Sequence, residues 1–149
     1  MSMEDWVFSF PDLRKGKHKP VTELLGKTII NIEGCEEDSE EIIFTCSDGT
    51  MYKMWHEQDC CESVQVADVI GNVEDLLHWP ITLAEEESQS FDYGDVDTTE
   101  YEYGYYDDSH TWTWYKFATV KGYVTVRWLG QSNGYYSEYV SFAEIIKEE

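Results

Sequence analysis

Within seven residues, His56-Glu57-Gln58-Asp59-Cys60-Cys61-Glu62 gathers an imidazole, two thiols and three carboxylates. Thiolate with imidazole favours zinc, which takes four tetrahedral ligands and accepts Cys and His most readily. His56 and Cys60 stand four apart, so a helical turn or tight loop would bring them onto one ion. Cys60 and Cys61 are adjacent, and both reach one ion only from a bent backbone. The expected metal site is therefore His56, Cys60 and Cys61, with Asp59, a distant Cys or His, or a water as fourth ligand. The two separated Cys-x-x-Cys knuckles of a structural zinc site are missing. A packing reading stands beside the metal one, with one cysteine in the core, the other incidental and His56 capping a turn. A third use is a nucleophilic thiol with His56 as its base, for which the sequence offers no orienting residue. Cys35 and Cys46 fall in or beside the first expected strands, as core or partly exposed thiols, and either could complete a zinc site across the sheet.

The second candidate is electrostatic. Between Met54 and Tyr115 there are sixteen Asp and Glu and no Lys or Arg, in a chain of net charge -21. Nucleic acid binding relies on Lys and Arg displacing condensed counterions, so direct contact with DNA or RNA is excluded. Anionic membranes are disfavoured for the same reason. Carboxylates interleaved with tyrosines can imitate the charge and stacking surface of nucleic acid, and tyrosine is favoured at interface hot spots. The expected partner-binding residues are Asp92, Tyr93, Asp95, Asp97, Glu100, Tyr101, Glu102, Tyr103, Tyr105, Tyr106, Asp107 and Asp108. Such a surface fits a basic groove; a solvated loop kept acidic for solubility is the plain alternative.

The elements that must position these groups are mostly strands. Thr28 to Ile32 and Glu41 to Thr45 are β-rich runs, and Ser47-Asp48-Gly49-Thr50 marks a hairpin into Met51 to Trp55. Val64 to Val66 and Ile81 to Ala84 read as further strands, and Glu85 to Asp108 as a long loop or irregular hairpin. Thr111 to Thr119 alternates with period two and Tyr123 to Trp128 returns after Lys121-Gly122. Tyr135 to Phe142 reads as a third strand after Ser132-Asn133-Gly134. Short helical turns are expected at Val21 to Gly26 and Val73 to Leu77. The expected fold class is α+β, mainly antiparallel sheet with one or two short helices. At 149 residues one domain is expected, with a basic N-terminal loop around 14–20 and an acidic Tyr-rich loop around 85–110. His78 and His110 sit beside Trp79 and Trp112 and read as packed or capping residues. No phosphate-binding loop, dinucleotide fingerprint or Gly-x-Ser-x-Gly elbow occurs. The acidic start, Met1 to Asp5, does not read as a signal peptide, and a cytoplasmic location is expected.

Met54 to Leu77, with His-Glu-Gln-Asp-Cys-Cys-Glu-Ser-Val, and Thr111 to Glu138, with Trp-Thr-Trp-Tyr-Lys-Phe-Ala-Thr-Val-Lys-Gly-Tyr-Val-Thr-Val-Arg-Trp, resemble a family of small, largely uncharacterised phage and prophage proteins. That resemblance carries no defined activity. It implies a bacterial host cytoplasm, and a character similar to acidic anti-CRISPR inhibitors that occupy the DNA-binding surfaces of host defence nucleases. The expected function is an inhibitor of a host defence nuclease of the Cas9 type that binds its basic surface and hinders guide or DNA loading. Zinc would be structural in such an inhibitor. The alternative is a metal-dependent hydrolase or nucleotide-signal trap built on His56 to Glu62, with Lys116, Lys121 and Arg127 as its cationic groups. A structural phage component is the third reading.

Overall fold

A computed structural model describes residues 18–92, 95 and 108–146. Among these residues eight strands run β1 (Ile29–Glu33), β2 (Glu41–Cys46), β3 (Met51–Trp55), β4 (Ser63–Ile70), β5 (Leu83–Asp92), β6 (Ser109–Thr119), β7 (Gly122–Ser132) and β8 (Ser141–Glu144). They form two four-stranded sheets, ordered β1-β2-β3-β8 and β4-β7-β6-β5, with antiparallel pairing throughout.

Alternation decides what lies between the sheets. Ile42, Phe44, Tyr52, Met54 and Phe142 of the first sheet meet Val66, Tyr115, Phe117, Val126 and Trp128 of the second in one buried cluster. Phe44 touches Phe117 edge to face across the gap, with ring centroids 5.8 Å apart. The architecture is a β-sandwich, so the α+β expectation is corrected to nearly all-β. The two expected helical turns are single 3-10 turns, Val21–Leu24 and Val73–Leu76. Each is too short to offset the cost of helix nucleation. Gly26 (φ +81°) closes off the first, and Leu77 is already extended after the second.

Two strand assignments also change. β5 continues to Asp92, so residues 85–92 of the expected loop are strand. Tyr135 to Val140 is not strand, and only Ser141–Glu144 pairs, in the first sheet against β3. The crossing segment lies close on β7, where a Cβ on Gly130 would stand 2.4 Å from the Glu138 carbonyl oxygen. A backbone neighbour cannot swing aside as a side chain does. Gly130→Ala is therefore expected to cost about 1–3 kcal/mol by overpacking, read from the urea midpoint.

Candidate functional site

The turn between β3 and β4 is organised by Glu62, a residue outside the expected ligand set. Its side chain has no exposed surface and that of His56 has 4%. His56 Nε2 donates to Glu62 Oε2 at 2.8 Å and the Asp59 amide donates to the same oxygen at 3.0 Å. The Cys60 amide donates to Oε1 at 2.9 Å, and the Gln58 amide nitrogen reaches it at 3.2 Å. The other imidazole nitrogen, Nδ1, donates to the Tyr139 carbonyl at 2.7 Å. Both ring nitrogens thus face acceptor oxygens, which fixes the orientation of the imidazole. Burial pushes the Glu62 carboxyl up, but the His56 hydrogen bond and the Cys60 and Asp59 amides outweigh it and hold it at about 2. The sequence signal for this hub is a carboxylate placed two and three residues after amides that a tight turn points inward.

The expected zinc ligands share this turn but are arranged for other contacts. Asp59 supplies its backbone N–H to Glu62, and Cys60 and Cys61 are joined in a vicinal disulfide. Among the described residues no group of three or more His, Cys, Asp or Glu is disposed to hold a metal ion. Cys46 is a core residue at the far end of β2 from the Glu41–Trp55 pair that borders His56. Zinc at His56, Asp59, Cys60 and Cys61 would thus belong to the reduced protein, with His56 released from Glu62. Elemental analysis of tag-free protein before and after reduction measures this; about one equivalent is expected only after reduction.

Thiol chemistry separates the four cysteines further. Burial, with Glu36 nearby, pushes the Cys35 thiol up to about 11, and burial also raises Cys46. Cys60 and Cys61 are exposed. An alkylating reagent near neutral pH is expected to label native protein slowly, and two further sites quickly after mild reduction, because thiolate is the reactive form. Counting labels by intact mass checks the assignment.

Around the hub, a cleft of about 360 Å³ is lined by Glu40, Glu41, Trp55, Gln58 and Glu62. The Lys53 ammonium lies 5.3 Å from the Trp55 ring centroid and 3.0 Å from Glu41. The cations expected for a nucleotide trap have other uses. Arg127 makes a two-pronged ion pair with Asp68, its Nε at 2.7 Å, and lies over Trp112. Lys116 faces Glu87 at 3.6 Å, and Lys121 sits over Trp79.

Of the expected partner-binding residues, Asp92, Asp95 and Asp108 are described; the other nine lie outside the described residues. Asp92 is the last residue of β5 and pairs with Ser109, the first of β6. Asp92 and Ser109 are thus the last pair of the β5–β6 ladder. Beyond that pair the Asp95 amide donates to the Asp92 carbonyl, and the Asp92 amide donates to the Asp95 carboxylate at 2.7 Å. Sequence reasoning missed a second buried carboxylate, Glu138, which accepts hydroxyl hydrogen bonds from Thr111 at 2.7 Å and from Ser132.

Fold and site define a β-sandwich with an acidic hairpin and a turn built on a buried carboxylate. The chain belongs to the family described as a domain of unknown function, DUF7448, whose model matches residues 22–142. Comparison with curated proteins and with solved structures returns no match. Among the described residues no helix is long and apolar enough to cross a membrane.

Proposed function

We propose that this protein is a non-enzymatic binding module that docks onto the cationic surface of a nucleic-acid-binding protein. The observation that supports this reading is where the charge sits. β5 presents Glu85, Glu86 and Glu87 within six consecutive exposed residues and leads into Asp92, Asp95 and Asp108 at the mouth of one hairpin. Carboxylates on a paired ribbon hold a defined spacing, as phosphates do along a nucleic acid backbone, and their shared field steers a cationic partner. Resemblance to phage and prophage proteins points to a host defence nuclease of the Cas9 type, whose guide and DNA channels are basic. Occupying such a channel would hinder loading without chemistry, and a zinc ion bound at the reduced His56 turn would be structural.

Titrating the protein against a guide-free Cas9-type effector tests this. Binding is expected to compete with target DNA. Affinity is expected to fall about ten- to a hundredfold as salt rises from about 0.1 M towards 1 M, because the Debye length shrinks from about 10 Å to about 3 Å. No binding, or an affinity flat across that range, overturns the reading.

A further inference from the structure

The second sheet ends in an edge that no described strand covers. β5 pairs with β6 on one side only, and the first 3-10 turn packs near its start. Register decides which of its backbone groups are open. Val120 and Lys121 form a two-residue turn closed by the Thr119–Gly122 pair. The pair flanking such a turn exchanges hydrogen bonds, and in an antiparallel ladder bonded pairs alternate with non-bonded ones. Odd-numbered residues of β6 therefore bond to β7, and even-numbered ones to β5. Carried across the Glu85–Lys116, Glu87–Trp114 and Gln89–Trp112 pairs, this commits the backbone of Glu85, Glu87 and Gln89 to β6. The N–H and C=O groups of Glu86, Ser88 and Ser90 point the other way.

Long open edges accept strands from other chains unless they are blunted by proline, bulges or charge. β5 contains no proline, and its register with β6 is unbroken from Leu83 to Asp92. Every residue from Glu85 to Ser90 is exposed, so both faces of the edge are reachable. Within β5 the blunting device is the run of three glutamates, and it is selective. A second copy of this chain would bring the same three negative charges to the seam and be repelled. A strand carrying lysine or arginine at alternate positions would place them beside the glutamates and be attracted, since cross-strand opposite charges stabilise and like charges destabilise. Ser88 and Ser90 are small and leave the rest of the seam open.

We infer that the β5 edge receives an extended, lysine- or arginine-rich segment of a partner protein as an added strand. Backbone hydrogen bonds to Glu86, Ser88 and Ser90 supply the contact, and Glu85 to Glu87 supply the choice of partner. This rests on the cationic-partner reading above and specifies how the contact is made.

Three synthetic ten-residue probes test it on the full chain: alternating Lys-Val, alternating Lys-Pro and alternating Glu-Val. The Lys-Pro peptide has the same charge but cannot donate backbone hydrogen bonds from its prolines. The Lys-Val peptide is expected to bind at least about tenfold more tightly than Lys-Pro, and Glu-Val not measurably. Hydrogen exchange is expected to slow at the amides of Glu86, Ser88 and Ser90 when Lys-Val is present. The triple substitution Glu85→Lys, Glu86→Lys and Glu87→Lys, at exposed positions, is expected to remove Lys-Val binding while leaving the unfolding midpoint near that of the parent. Equal affinity for Lys-Val and Lys-Pro, with salt sensitivity kept, overturns strand addition and leaves the cationic-partner reading standing. Protection confined to residues outside β5, or no binding of Lys-Val at all, also overturns strand addition.

Discussion

Replacing Glu62 by alanine is expected to lower the unfolding free energy by about 3–5 kcal/mol, because several buried donors share its carboxylate and each costs about 1–3 kcal/mol when left unpaired. The reason is what remains behind. His56, Gln58 and the Asp59 and Cys60 amides all aim at the Glu62 carboxylate, whose side chain has no exposed surface. Without it, two backbone donors and an imidazole face an empty space, and each buried unsatisfied donor carries its own desolvation cost. The effect is pH-dependent with a definite sign. The folded-state carboxyl titrates at about 2, below its ordinary value of 4.5. A depressed carboxyl contributes stability that is complete above the ordinary value and is lost as pH falls through the folded one. Urea midpoints of parent and Glu62→Ala should therefore differ most near neutral pH and converge between about pH 4.5 and 2. A gap that stays constant through that window would show that shape, not charge, is what Glu62 contributes.

The second large effect lies on the opposite side of the second sheet. Trp112→Ala is expected to cost about 3–5 kcal/mol, as for an aromatic lost from a central core. Trp112 does not belong to the cluster between the sheets. It packs with Ala67, Phe91 and Leu129 in a separate buried group, with Trp114 partly buried beside it. Its own exposure is 0%, and the Arg127 guanidinium lies 5.3 Å from its ring. Truncation would lose the transferred area, leave a cavity and strip a cation–π contact together. Tyr123 is the internal control. It lies on the same face of the neighbouring strand and is 74% exposed, so Tyr123→Ala should stay within about 0.5 kcal/mol of the parent. A Trp112→Ala cost as small as that of Tyr123→Ala would mean that this outer cluster is not a core.

How far these features could be read in advance depends on the range of the interactions. The hairpin at Asp48-Gly49 was legible because turn chemistry is local. The Asp48 carboxylate accepts from the Thr50 amide at 3.0 Å, and Gly49 adopts φ +90°. The Trp-Thr-Trp-Tyr-Lys-Phe run was legible as a strand because its period is two. Its faces were not, since Trp112 and Trp114 alternate with Tyr115 and Phe117 and both sets are apolar. The His56 to Glu62 segment does fold as one turn, with contacts among its own residues. Its centre was missed because a ligand count weighs side-chain types, whereas half of the donors to Glu62 are backbone amides.

By itself, then, the sequence determined the strand periods, the tight turns and the acidic balance, all set by residues within a few positions of one another. Only the tertiary structure decided that β8 crosses to the first sheet, that Glu62 gathers the turn, and that the glutamates of β5 lie on an open edge. Each of those depends on which distant strand supplies the neighbour. Backbone pairing is nearly blind to residue type, so that choice is made by burial summed over the two sheets.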